Sequence, residues 1–151
     1  DIVIGRAPVS DEELNQTRPM INGASALASL TSFRRVNRPD SKPILHASIA
    51  CEWTLYGNRS QNTRSEALNL VRNRKGKLPH ILAVTAEPMP TRIASLALGT
   101  GDLDCVYHFA LPELEQSIRA AGLEDQLEML NTLVDGRRLR DISDLPFDLA
   151  I

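Results

Sequence analysis

Over residues 44–56 apolar and polar positions alternate, with Leu45, Ala47, Ile49, Cys51, Trp53 and Leu55 set against His46, Ser48, Ala50, Glu52, Thr54 and Tyr56. A period of two predicts a strand, the first set on a buried face and the second on a more polar one. Gly57-Asn58 breaks it. Residues 61–74 then predict a helix with Ala67, Leu68, Leu70 and Val71 as its core-facing stripe and Gly76 as its stop. Within 79–86 the run Ile81-Leu82-Ala83-Val84 predicts a strand covered on both faces. A helix over 91–98, a strand over 104–110 and helices over 111–121 and 124–134, parted by Gly122, follow. At the other end, residues 2–6 predict a short β-branched strand. Residues 7–43 hold Pro8, Pro19, Pro39 and Pro43 and read as a variable connection with a weak helical stretch near 24–30. The tail, 141–151, carries Leu145-Pro146-Phe147 and reads as a docked segment. Strands alternating with helices predict an α/β domain with a parallel or mixed sheet.

At 151 residues the chain has the size of one domain. Hydrophobic residues at 42% and charged ones at 24% exclude a disordered or collagen-like chain. No apolar run approaches the roughly 20 residues of a membrane span, and no signal peptide opens the chain. It reads as soluble and cytoplasmic, with no membrane partner. Two cysteines exclude a disulfide-dense scaffold, and His46, His80 and His108 are too isolated to form a zinc motif. Cys51 and Cys105 lie in apolar runs and read as small buried hydrophobes. The chain opens on Asp1-Ile2-Val3-Ile4 without a methionine, which points to a fragment whose upstream residues are missing.

Net charge is −2, so bulk charge does not suggest nucleic acid, but the charges are sorted along the chain. Arg59, Arg64, Arg72, Arg74, Lys75 and Lys77 stand against Glu66 alone, and Arg34, Arg35 and Arg38 form a smaller basic cluster. Residues 113–128 are mostly acidic. The basic segment suits a phosphate-facing surface, and equally a solvated helix end whose cations complement the dipole. Glu66 is a lone acid among those cations, open to pairing with Arg64 or Arg59. Glu52 sits in mid-strand, where Glu is mildly disfavoured, and marks either a solvent-facing position or a metal site. Together Asp1, Glu52 and Glu66 suit a hard divalent cation such as Mg²⁺, which takes oxygen ligands.

Longer stretches carry more. Trp53-Thr54-Leu55, the run from Asn58 through Arg59-Ser60-Gln61-Asn62-Thr63-Arg64-Ser65-Glu66 to Leu70, and Arg72-Asn73-Arg74-Lys75-Gly76 resemble the NgoMIV-like type II restriction endonucleases. So do Leu78-Pro79-His80-Ile81, Ala97-Leu98-Gly99-Thr100-Gly101, the run Asp104 to Ala110, and Asp141-Ile142-Ser143-Asp144-Leu145-Pro146. The resemblance covers nearly everything from Lys42 onwards, together with the opening four residues. It implies a restriction-endonuclease-like fold, a mixed sheet flanked by helices, with residues 1–151 a single catalytic domain lacking its N-terminal part. It further implies a Pro-Asp…Lys…Glu site in which Asp1 and Glu66 bind Mg²⁺ with the backbone carbonyl of Cys51. Family members are homotetramers that cut duplex DNA at CCGG-containing sites, typically GCCGGC, and leave 5′ overhangs. A dimer or tetramer and double-stranded DNA are therefore the implied partners.

The chain departs from that pattern in three places. Glu52 stands where the family has its catalytic lysine, in Ala50-Cys51-Glu52. That exchange reverses the local charge beside two other acids and a phosphate, and Lys42 lies too far along the strand to substitute. The family reads its core site with Arg-Ser-Asp-Arg, and the chain has Tyr56-Gly57-Asn58-Arg59. Arg59 keeps the guanine fork, whereas Tyr56 and Asn58 lose pairs worth about 1–3 kcal/mol of discrimination each. Finally, the family's N-terminal half, with a further acid, is missing. These departures lead to an expectation of reduced or absent cleavage, with a non-catalytic DNA-binding or assembly module as the alternative and an inert fragment as a third.

Overall fold

Parallel strands joined by helices cross over with one hand in about 98% of cases, so strands laid down in sequence order send every connecting helix to the same face. The computed structural model describes residues 1–23, 26–38, 40, 42–99 and 101–151, and its five strands follow that order, β1-β2-β3-β4-β5, in a mixed sheet flanked by helices. The strands are β1 (Ile2–Arg6), β2 (Ile44–Glu52), β3 (His80–Thr85), β4 (Cys105–His108) and β5 (Leu139–Asp141). Between them lie α1 (Asp11–Leu14), α2 (Arg59–Asn73), α3 (Pro90–Ala97), α4 (Leu111–Ala120) and α5 (Glu124–Asp135), with α6 (Leu145–Asp148) last. Two compact units separate, one of Asp1–Ile2 with Ala47–Ile151 and the other of Val3–His46.

In the larger unit β2 runs parallel to β3, with Ala47 opposite His80 and Glu52 opposite Thr85. β3 and β4 are parallel with Ala83 opposite Val106, and β4 and β5 with Val106 opposite Leu139. Ile81, Ala83, Val106 and Leu139 thus share one face, and they form a single core with Ala67 of α2, Ile93, Leu96 and Ala97 of α3, Leu114 and Ile118 of α4, and Leu130 and Leu133 of α5. The crossover argument and the core agree. On the opposite face Tyr107 donates its hydroxyl proton to Asp148 (2.7 Å), and Arg140 pairs with the same carboxylate. No helix among the described residues is long and apolar enough to cross a membrane.

The faces of β2 differ from the alternation expected. Ala47, Ile49 and Leu55 are buried, but Leu45, Cys51 and Trp53 are exposed. Ser48 and Ala50, opposite Ile81 and Ala83, lie on the helix-covered side. Cys51 is consequently no buried hydrophobe, whereas Cys105 is. A strand with neighbours on both sides and cover on both faces has no simple inside and outside, so apolar alternation loses its meaning there. The strand also stops at Glu52 and does not reach Tyr56.

The smaller unit is better organised than a variable connection. Ser10 caps α1, accepting from Glu13 N–H while the Glu13 carboxylate accepts from Ser10 N–H, a complete capping box. Arg34, 3% exposed, grips both carboxylate oxygens of Asp11 at 2.6 Å and also donates to the carbonyls of Leu27 and Asn22. This bond holds the Asp11 carboxyl below its ordinary value. Arg35 donates to the Pro8 carbonyl and Arg38 to those of Lys42 and Pro43. The basic cluster expected at these positions therefore secures its own backbone. Residues 26–30 form turns, with Ala28 at φ 53°, and no helix; Ala24 and Ser25 lie outside the described residues.

Candidate active site

The stripe of α2 that faces β2 is set by helical spacing. Thr63 and Ala67 are buried, Leu70 packs on the core, and Glu66 falls between them on the same side. Asp1, 65 residues earlier in the chain, comes to the same place, its Oδ1 accepting from the Cys51 N–H at 3.1 Å. The two acids line one cavity of about 60 Å³ together with Ser48, Ala50 and Thr63. The Cys51 amide thus orients Asp1 through one of its oxygens.

Glu52 is also on this side of the strand, two residues beyond Ala50, but its carboxylate is engaged elsewhere. Its Oε2 accepts from Arg59 Nη1 at 2.7 Å. Arg64 likewise turns from Glu66 to the buried Asp102, at 3.1 Å, so Glu66's two candidate partners both pair with other acids. Among the described residues no three His, Cys, Asp or Glu side chains gather as a metal cluster. Of the three carboxylates considered together, the structure brings Asp1 and Glu66 to one cavity and pairs Glu52 with a cation. Two carboxylates at a water-sized cavity still fit a hard cation that keeps part of its hydration shell.

Beyond β2 the chain turns at Tyr56-Gly57-Asn58, where Gly57 takes φ +70°, a conformation that a side chain would resist. Tyr56 is exposed, and the Arg92 guanidinium lies 5.3 Å from its ring centroid, within cation–π reach. Asn58 precedes α2 but makes no side-chain cap, and the first turn of α2 has no acid. Tyr56, Asn58 and Arg59 therefore cluster on one exposed turn, at the helix's positive end.

That turn is anchored by a residue that the sequence did not single out. Glu87 is fully buried, and its carboxylate accepts from the backbone N–H of Leu55 (2.8 Å) and Met89 (3.1 Å) and pairs with Arg92 at 3.4 Å. Its carbonyl meets the His108 Nε2 at 3.1 Å, and Ala110 N–H donates to His108 Nδ1 at 3.0 Å. With Nδ1 accepting, Nε2 carries the proton, and burial pushes the imidazole pKa down, which favours this neutral tautomer. Glu87, Arg92 and Asp102 all escaped the sequence reading. Ala86-Glu87-Pro88 between a strand and a helix was the available signal for the first, since an acid at the end of an apolar strand needs a partner.

A family model described as NgoMIV restriction enzyme matches residues 1–151. The chain is 53% identical over 151 residues to the type II restriction enzyme NgoMIV of Neisseria gonorrhoeae, with 100% of this chain and 51% of that protein covered. It spans about half the length of the curated relative it matches.

Proposed function

Because the chain belongs to the NgoMIV restriction enzyme family, we propose that it is the site-bearing part of a type II restriction endonuclease that hydrolyses phosphodiesters of duplex DNA. The observation that carries the reading is the meeting of Asp1 and Glu66 at one cavity, with Asp1 fixed by the Cys51 amide. Asp1, Glu66 and the Cys51 carbonyl would hold a divalent cation, Mg²⁺ in this proposal, which supplies charge stabilisation at the phosphate and acidity to the attacking water. The chain's own groups do the rest. Cys51 N–H sets the direction of the Asp1 carboxylate. Tyr56, Asn58 and Arg59 face the DNA at a CCGG-containing site, GCCGGC-like, with Arg59 as the guanine reader. A homo-oligomer, dimer or tetramer, working in the cytoplasm in a restriction-modification system completes the reading.

A second reading has its own support. Glu52, a candidate catalytic position, holds a carboxylate paired with Arg59 and not a free cation. A site so altered suits a non-catalytic DNA-binding or assembly module, or an enzyme with impaired cleavage. Incubating a CCGG-containing duplex with Mg²⁺ and either this chain or its Glu52→Lys variant separates them. Cutting by the variant alone identifies a nuclease disabled at one charge. Cutting by the parent shows that Glu52 does not impair hydrolysis. If neither cuts while both bind the duplex, the non-catalytic module stands.

A further inference from the structure

We infer that Glu52 is an internal counter-ion for Arg59, so that duplex DNA must displace this carboxylate before Arg59 can reach it; the inference rests on the reading that duplex DNA is the ligand. Arg59 is the first residue of α2 and lies on the stripe that continues through Thr63, Glu66 and Leu70. It stands seven residues, about 10 Å along the helix, from Glu66. A cation at that end of a helix opposes the macrodipole, and no acid in the first turn compensates it. Glu52 supplies the missing negative charge from the end of β2, at 2.7 Å.

The pair is built to open. The Arg59 side chain is 56% exposed and the Glu52 side chain 23%, so the cation faces water and the acid sits beneath it. Ion pairs at such exposure are weakly held, and a phosphate or a guanine edge is a sufficient competitor. When Arg59 changes partner, Glu52 is left uncompensated beside a polyanion and must take a cation from solution. Binding then releases about one counter-ion fewer than the contacts alone would give, which lowers affinity at low salt and flattens its dependence on salt.

Fluorescence anisotropy with a CCGG-containing duplex, without divalent metal so that cleavage cannot intervene, tests this in four chains: parent, Glu52→Gln, Arg59→Gln and the double variant. Glu52→Gln is expected to tighten binding about three- to tenfold at low salt and to steepen the slope of log K against log salt by about 0.9. In the Arg59→Gln background the same change should lose most of that gain, because the cation it releases is absent. An equal gain in both backgrounds overturns the inference, since Glu52 would then act on DNA through its own field. Binding unchanged by Glu52→Gln overturns it too, and leaves the DNA-binding reading intact. If no chain binds duplex at the lowest salt, both fall.

Discussion

Glu87 shows how one side chain fixes where the turn at Tyr56-Gly57-Asn58 can be. Its fully buried carboxylate satisfies the amides of Leu55 and Met89, one on each side of the space between β2 and α3, and reaches Arg92, which covers Tyr56. Its own N–H donates to Thr85 Oγ1 at 3.1 Å. A carboxylate with two amide donors and a guanidinium is well compensated, but removing it strands those donors away from water. Glu87→Ala should therefore cost about 2–4 kcal/mol, read from urea unfolding, whereas Glu87→Gln, which keeps an acceptor oxygen, should cost less. A Glu87→Ala chain as stable as the parent would mean that the turn has no need of this anchor. The same logic places Arg34 with Asp11: a cation that sequence presents as available for phosphate is buried and spent on its own fold.

The last elements of the chain depend on a similar lock. Tyr107 of β4 and Arg140 of β5 both meet Asp148 of α6, and their hydrogen bonds hold the Asp148 carboxyl below its ordinary value, while burial raises the Tyr107 phenol. Asp148→Asn weakens both bonds at once. Residues 142–151 should then lose amide-exchange protection by about tenfold or more, with α3 and α5 unchanged; protection retained in 142–151 would show that α6 docks without the lock. The sequence marks this segment only as a docked tail and carries no pattern for β5. Leu139-Arg140-Asp141 follows two arginines and has no alternation, so it becomes a strand because β4 offers an edge. By contrast α2 to α5 and β3 and β4 were legible, since their apolar spacing matches the face each one buries. The β2 pattern misled because its two faces are both in use, and the Ser10–Glu13 capping box shows that α1 was written in the sequence but too short to stand out. Pairs such as Arg64 with Asp102, 38 residues apart, have no local pattern at all. The convergence of Asp1 with Glu66 was legible only through resemblance to a family, because nothing in the spacing brings the residue before a strand to the middle of a helix.

For the molecule as a whole, that convergence has a thermodynamic consequence. Asp1 and Glu66 line one small cavity, a pairing of hard oxygen donors that exists only in the folded chain. A divalent cation that binds the folded chain and not the unfolded one stabilises it by mass action, about 2.7 kcal/mol at a hundredfold excess over its dissociation constant. For a chain of this length that corresponds to a rise in thermal midpoint of roughly 5–10 °C. Calorimetry with Mg²⁺ should show this rise in the parent and lose it in Glu66→Gln and in Asp1→Asn. The latter keeps an oxygen for the Cys51 amide, so its loss would trace to the charge. Without metal, Glu66→Gln should be about as stable as the parent, because it leaves the buried stripe of Thr63 and Ala67 untouched. A midpoint that rises equally in all three chains would place the cation elsewhere. The measurement needs no cleavage, and so it judges the paired carboxylates independently of the charge at Glu52.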